Sequence, residues 1–473
     1  MTESLSEERR RRLVAANRDE YADSYSLLAF ADEAARQRAG ERRREILAAL
    51  SGQAGTGCRG SKLDMRRLSP GCRLCAEGAW SCLFINGRCN ARCFYCPTSQ
   101  EETGLPTTNT VTFRNPADYV AYLERFGFRG ASFSGGEPLL TPDRTLSFLA
   151  AAKRRFGDRL HTWVYTNGTR VDRDILLRLR DAGLDEIRFD IGAVGYSLGP
   201  ASLAVGLIPT VTVEIPAVPE ETGQMKELMV RMAGIGIDHL NLHQMRLTPH
   251  NLPHLSGRPY TFLHGEKVTV LESELTALEL LRHSLDRGID LPVNYCSFVY
   301  KNRWQRATAR RRGGEAVKKG HEDLTDAGYI RTLALAGDSE NLARQAATLQ
   351  AAGVPEGSWN IGRGGDRLFF SAALWPLLDF CSCRLRVAYA ETVMRESVSY
   401  RTAFSEVTLA TGKKVVFERW TTQPETELAG NEIEYFAALF LEGEGENLRA
   451  GETGRWAGMH GCEYLPAGLQ EYF

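Results

Sequence analysis

Between Cys96 and Cys296 the chain has no cysteine, although it carries eleven in all and places seven of them between Cys58 and Cys96. It also lacks an apolar run long enough to span a bilayer. Its opening, Met1 to Arg12, is charged where a secretory signal would be apolar. Neither sign of charge prevails, with 58 Lys and Arg against 59 Asp and Glu, so no global field draws the protein to nucleic acid or a membrane surface. There is no internal repeat and no low-complexity tract. These absences leave a globular protein of two or three domains, expected in the cytoplasm. In that reducing compartment, clustered cysteines point to metal rather than disulfides.

The densest cluster is Arg88–Thr98, where Cys89, Cys93 and Cys96 stand as C-x3-C-x2-C. An iron–sulfur cube held wholly by protein takes four thiolates. Three close ones with no fourth leave an iron open to a small molecule. The alternative is structural zinc, with Cys93 and Cys96 as one pair and Cys72 and Cys75 as the other.

From Trp80 to about Met245, short apolar segments alternate with amphipathic helical stretches. The predicted strands are 80–86, 130–134, 160–166, 185–191, 209–216 and 238–243. Helices are predicted over 116–126, 141–156, 172–182 and 222–233, with Asn115 and Thr141 as caps before prolines. Six strand–helix units in a row imply a parallel sheet. Six are too few for an eight-stranded barrel, and chemistry is expected at the C-terminal strand ends. Ser134-Gly135-Gly136-Glu137-Pro138 falls at the second of those ends. Its two glycines allow positive φ and close backbone approach, with carbonyls turned toward a bound ammonium and Glu137 as a further acceptor.

The cysteine triplet, the aromatic Tyr95 before its last member, and the Gly-Gly-Glu-Pro run one strand later together resemble the radical S-adenosylmethionine (radical SAM) superfamily. The resemblance covers residues 80–245. It implies an α/β fold with a partial (β/α)6 TIM-like barrel and a [4Fe–4S] cluster on Cys89, Cys93 and Cys96. S-adenosylmethionine (SAM) would chelate the open iron and be cleaved reductively to a 5′-deoxyadenosyl radical that abstracts hydrogen from the substrate. By the same resemblance Gly135, Gly136 and Glu137 hold the cofactor's amino group, Tyr95 packs near the adenine, Asn167 closes the third strand and Asp190 meets the ribose. A reducing partner such as flavodoxin or ferredoxin is implied. No cobalamin-binding half precedes the barrel.

Around this core, residues 1–57 read as a helical extension and 58–79 as a cysteine-bearing lead-in. Residues 80–250 are the barrel core, 251–383 a barrel extension and substrate region, and 384–473 a smaller α+β domain with a hairpin over 405–420. Eight cysteines outside the triplet suffice for an auxiliary iron–sulfur cluster, expected on Cys72 and Cys75 and completed by Cys296, Cys381 and Cys383. Cys82 reads equally as core. Glu214, His243 and Gln244 on the last two strands are the candidate catalytic groups. Five histidines in 239–264 are candidates for the cavity wall. The basic stretch Lys301–Arg312 is read as a solvated helix face unless it faces the barrel mouth. The substrate is a small molecule, a lipid or a peptide, with RNA disfavoured. A glycyl-radical-enzyme activase or an RNA- or peptide-modifying enzyme is the rival within the class. Outside it stands a non-catalytic binding protein stabilised by zinc or an iron–sulfur cluster.

Overall fold

The computed structural model describes residues 5–64, 66–355, 357–443 and 454–473. The beginning of the N-terminal extension and residues 444–453 of the C-terminal region lie outside these. The chain divides into two units, one built from Arg9–Gln305, Leu409–Lys413 and Ala467–Phe473, the other mainly from Arg306–Thr408 and Lys414–Pro466.

In the first unit the alternating pattern becomes strands β1 (Trp80–Asn86), β2 (Gly130–Gly135), β3 (His161–Thr166), β4 (Glu186–Phe189), β5 (Thr210–Pro216) and β6 (His239–His243). These lie side by side in chain order and pair in parallel. The sheet does not stop at six. After helix Leu271–Asp286, β7 (Val293–Cys296) adds a seventh parallel strand beside β6. Its four residues lie between Pro292 and Ser297, too short for a periodicity of their own. Beyond β7 a small antiparallel hairpin, Thr56–Gly57 with Lys62–Leu63, extends the sheet, with Lys62 opposite Cys296. The core expected over 80–250 therefore gains a strand from downstream and a hairpin from upstream. Paired backbone groups at a sheet edge explain why neither can be cut away.

The helices cover the sheet with buried apolar faces, as in Arg173–Asp181 with Ile175, Leu176 and Leu179. Asn115 caps Pro116–Arg125 as expected, its Oδ1 accepting from Asp118 N at 2.9 Å. Thr141 does not cap Pro142–Phe156. Its hydroxyl instead accepts from Asn86 Nδ2 at 3.0 Å, tying the end of β1 to the loop after β2. Upstream, Ala29 and Ala31 exchange backbone bonds with Phe262, and Tyr21 and Leu28 join a cluster with Met245, Leu247 and Tyr260. The N-terminal helices are thus part of this unit's packing.

Residues 300–305 wind as a wide π turn, Tyr300–Gln305, before the helix Arg306–Val317 begins the second unit. The division at 305/306 splits the expected 251–383 region. The second unit is an antiparallel sheet centred on Ile330–Ala336 and Arg384–Arg395, with Ala403–Thr408 and Lys414–Thr421 forming the expected hairpin strands. Its core gathers Leu333, Leu349, Phe370, Val387, Phe436 and Met459. A domain beginning at 384 would strip Arg384–Arg395 of its partner strand, so the 384–473 boundary falls too late.

Candidate functional site

The seven parallel strands end together at one cavity of about 510 Å³, lined by the triplet loop and by residues from every strand end between β2 and β7. Cys89, Cys93 and Cys96 face it, each half-buried. The loop is cinched by Cys89 N donating to Gln100 O at 3.1 Å and Cys96 N to Cys93 O at 3.0 Å. Gln100 Nε2 donates to Cys96 Sγ at 2.7 Å and Asn167 Nδ2 reaches Cys89 Sγ at 3.5 Å.

Gly135 and Gly136 fit a ligand cradle. Gly135 has φ +133°, and a Cβ there would lie 2.1 Å from Asn86 O; one on Gly136 would lie 2.2 Å from Arg88 O. Both clashes are with backbone, so any side chain would push the β2 end away from the triplet loop. Glu137 is engaged within the protein. It is fully buried, takes no part in the cavity wall, and accepts from Leu139 N (3.0 Å), Thr166 Oγ1 (2.9 Å) and Asn167 N (2.6 Å). Its carboxylate ties the β2 and β3 ends together. Tyr95 donates to Asp190 Oδ1 at 2.8 Å, and burial raises the Asp190 carboxyl to about 6.

Below the rim runs a line of buried charge. Arg188 donates Nε to Glu186 Oε1 (2.8 Å) and one terminal nitrogen to Glu214 Oε2 (2.7 Å); the other reaches Ser69 Oγ (3.2 Å). Glu214 Oε1 holds His243 Nε2 at 2.6 Å. Arg188 first among its charged neighbours keeps Glu214 well below the usual carboxylate range despite burial. Burial lowers His243 to about 4, so the imidazole is neutral at pH 7, with its Nδ1 buried and without a partner among the described residues. Gln244 Oε1 accepts from Phe298 N at 3.1 Å while its Nε2 is likewise unpartnered. Lys301 and Arg246 bring positive charge to the same wall. Of the five histidines in 239–264, His243 lines this cavity, whereas His264 stacks on Phe30 with ring centroids 3.9 Å apart.

Behind that wall a second set of thiols surrounds Lys62. Its ammonium donates to Asn294 Oδ1 at 2.6 Å and to Cys296 Sγ, and lies 4.7 Å from the Tyr300 ring centre. Cys75 Sγ is 3.2 Å from Tyr300 OH and accepts from Gln305 Nε2 at 2.7 Å. Cys72 Sγ accepts from Asn241 Nδ2 at 3.2 Å, and Asn241 Nδ2 also donates to Glu214 Oε2 at 3.0 Å. Burial pushes the thiol of Cys75 up to about 12 and that of Cys58 up to about 11. Cys381 and Cys383 belong to the second unit, where Cys381 is exposed and Cys383 sits in the core beside Asn341 and Gln345. Cys82 lies on β1, half-buried.

Among the described residues no three His, Cys, Asp or Glu side chains converge as ligands of one metal ion. A tetrahedral zinc site draws its ligands to one point; a cube spreads its thiolates over separate irons. Three thiols around a cavity with a glycine cradle opposite fit the second arrangement and a cofactor lying between them. Missed in the sequence were Gln100, Arg188, Arg246 and Asn302, none of which belongs to a motif. Lys301 was read as part of a basic helix face. The signal that could have found them is position, since Arg188 lies on β4 two residues before Asp190, which follows the strand's end.

Residues 83–195 match the radical SAM superfamily. A protein of Methanocaldococcus jannaschii, provisionally named as a glycyl-radical enzyme activating enzyme, is 28% identical over 287 residues, 58% of this chain and 75% of that protein. The GTP 3′,8-cyclase of Corynebacterium glutamicum strain R is 32% identical over 116 residues, 23% of this chain and 30% of that enzyme, so less than a third of its length is spanned. Among solved structures, SuiB of Streptococcus suis aligns at 13% identity with a TM-score of 0.34, over 61% of this chain and 60% of that one. Among the described residues no helix is long and apolar enough to cross a membrane.

Proposed function

We propose, from the match of residues 83–195 to the radical SAM superfamily, that this protein is an enzyme that cleaves SAM reductively and takes hydrogen from a peptide or protein substrate. The observation that carries this reading is the three-thiol loop facing Gly135–Gly136 across a cavity that every strand end from β2 to β7 enters. Cys89, Cys93 and Cys96 would hold a [4Fe–4S] cluster, which with bound SAM supplies a 5′-deoxyadenosyl radical. The chain's own groups do the rest. The glycine cradle offers backbone acceptors to an ammonium, and Asp190, fixed by Tyr95, offers a carboxylate to hydroxyls. Lys301 and Arg246 offer cations to a carboxylate. His243, held neutral with Nδ1 as an open acceptor, can receive a proton or hydrogen bond from the substrate.

The peptide or protein substrate rests on the Methanocaldococcus jannaschii relative, matched over 75% of its length. Activation of a glycyl-radical enzyme is the specific form of that reading. A second iron–sulfur cluster, held by Cys72, Cys75 and Cys296, belongs to it as an electron partner on the far side of the cavity wall. We place the protein in the cytoplasm, where its eleven cysteines stay reduced.

The test is anaerobic reconstitution with iron and sulfide, followed by reduction with dithionite in the presence of SAM. Release of 5′-deoxyadenosine, lost in Cys93→Ala, supports the reading. A colourless protein that releases none removes it. Deuterium carried into 5′-deoxyadenosine from an α-deuterated glycine peptide separates an activase from an enzyme acting on another site.

A further inference from the structure

We propose that Cys58, Cys72, Cys75 and Cys296 are the four ligands of a second iron–sulfur cube, with Lys62 as its counter-charge. This deepens the second-cluster reading above and rests on it, but it is independent of SAM cleavage.

The ligand set closes within one unit. Helix Pro70–Ala76 presents Cys72 and Cys75 three residues apart, hence on one face. Ser69 caps that helix by accepting from Cys72 N at 3.2 Å, which fixes the rotation of both thiols. On the sheet edge, Gly57 pairs with Lys62 and Lys62 with Cys296, so Cys58, one residue past Gly57, follows the same row. Cys58 takes φ +52°, a left-handed conformation uncommon for a residue with a side chain, and Ser61 locks it by donating its hydroxyl to Cys58 O at 2.6 Å. Arg59 shares that conformation at φ +56°, and the two form the tight turn that Gly60 N closes on Gly57 O at 3.0 Å and that carries the thiol.

Lys62 is the second, independent observation. It is 1% exposed, and among the described residues no carboxylate pairs with it. A buried ammonium is costly unless an anion answers it. The groups around it are a carboxamide, an aromatic ring and thiols. A cube carrying four thiolates is net negative and needs a buried cation. The lysine's flexible stem and three donors suit sulfur acceptors that are not collinear. With all four irons ligated by protein, such a cluster has no open position for SAM.

The experiment is metal counting on the full chain after anaerobic reconstitution, with Mössbauer and EPR spectra. Wild type should hold about 8 iron atoms and Cys89→Ala/Cys93→Ala/Cys96→Ala about 4, with a cube's spectrum. About 4 in wild type and none in the triple variant, or a single zinc in the latter, overturns the proposal. In the triple background, Cys58→Ser should abolish the remaining cube or leave a three-iron signal. Unchanged iron and an unchanged spectrum remove Cys58 from the set. Lys62→Met should keep the iron and move the midpoint potential to more negative values, with Lys62→Arg restoring it; equal potentials in all three overturn the counter-charge. Because the readout is iron rather than 5′-deoxyadenosine, failure here and failure of the SAM reading are told apart.

Discussion

The two sulfur-rich sites are built on opposite plans. The Cys89–Cys93–Cys96 loop is half-buried and opens on a cavity, whereas in the second set Cys72 and Cys296 are buried, Cys58 and Cys75 are half-buried, and none of the four lines that cavity. The first gathers three thiols from one short stretch. The second draws them from a hairpin and a helix near each other in sequence and from a strand far downstream. A loop with three ligands can leave an iron for an exchangeable small molecule. A cage from three elements fixes everything and admits nothing. If both sites hold the proposed clusters, access to the cavity and ligand count would sort a reactive role from an electron-carrying one within one unit.

That contrast can be broken in order of expected effect. Cys93→Ala should abolish 5′-deoxyadenosine release entirely while leaving the Lys62 site's iron in place. Cys75→Ala should do the reverse in iron, losing that cluster while uncoupled SAM cleavage persists; loss of both activities together would show that the sites are one. Next is the wall they share. Glu186→Gln leaves Arg188 with a buried charge half-answered and should cost about 3–5 kcal/mol, read as denaturant midpoint. In wild type, Glu186 is depressed from 4.5 to about 2, Arg188 and His161 outweighing its burial. Its contribution is thus fully present above about pH 4.5 and is lost as the pH falls toward 2, whereas the variant should show no such slope.

A smaller effect should appear at the rim. Asp190 is raised to about 6, so it is ionised above that pH and neutral below it. SAM affinity should fall as the pH drops through about 6, an inflection absent in Asp190→Asn. His243, lowered to about 4, adds no step between pH 5 and 8. Smallest is Tyr95→Phe, which removes one hydrogen bond to the Asp190 carboxylate and should lower stability by about 1.5–3 kcal/mol, read as denaturant midpoint, while sparing the iron.

The sequence was most legible where chemistry is local. Cys89, Cys93 and Cys96 share one loop, and Gly135–Gly136 stands at a strand end that periodicity marks. It was least legible where partners come from distant segments. Nothing near Lys62 announces Asn294 or Cys296, more than 230 residues on. The spacing of Cys381 and Cys383 suggested ligands, but Cys383 is a core side chain of the second unit. Arg188 on β4 looked like any strand residue until the packing showed Gly71 against its guanidinium, where a Cβ would lie 2.4 Å from a terminal nitrogen. Glu137 sits in a recognisable motif, yet its neighbours alone decide that it braces the backbone. Lys301 was hidden in a basic run because side chains of a π turn do not follow helical spacing.

That turn reaches both ways. Lys301 and Asn302 face the cavity, while Tyr300 and Gln305 grip the thiol of Cys75. Six residues of one turn therefore touch both sites. An occupant that contacts Lys301 is expected to leave a spectroscopic trace at the Cys75 thiol.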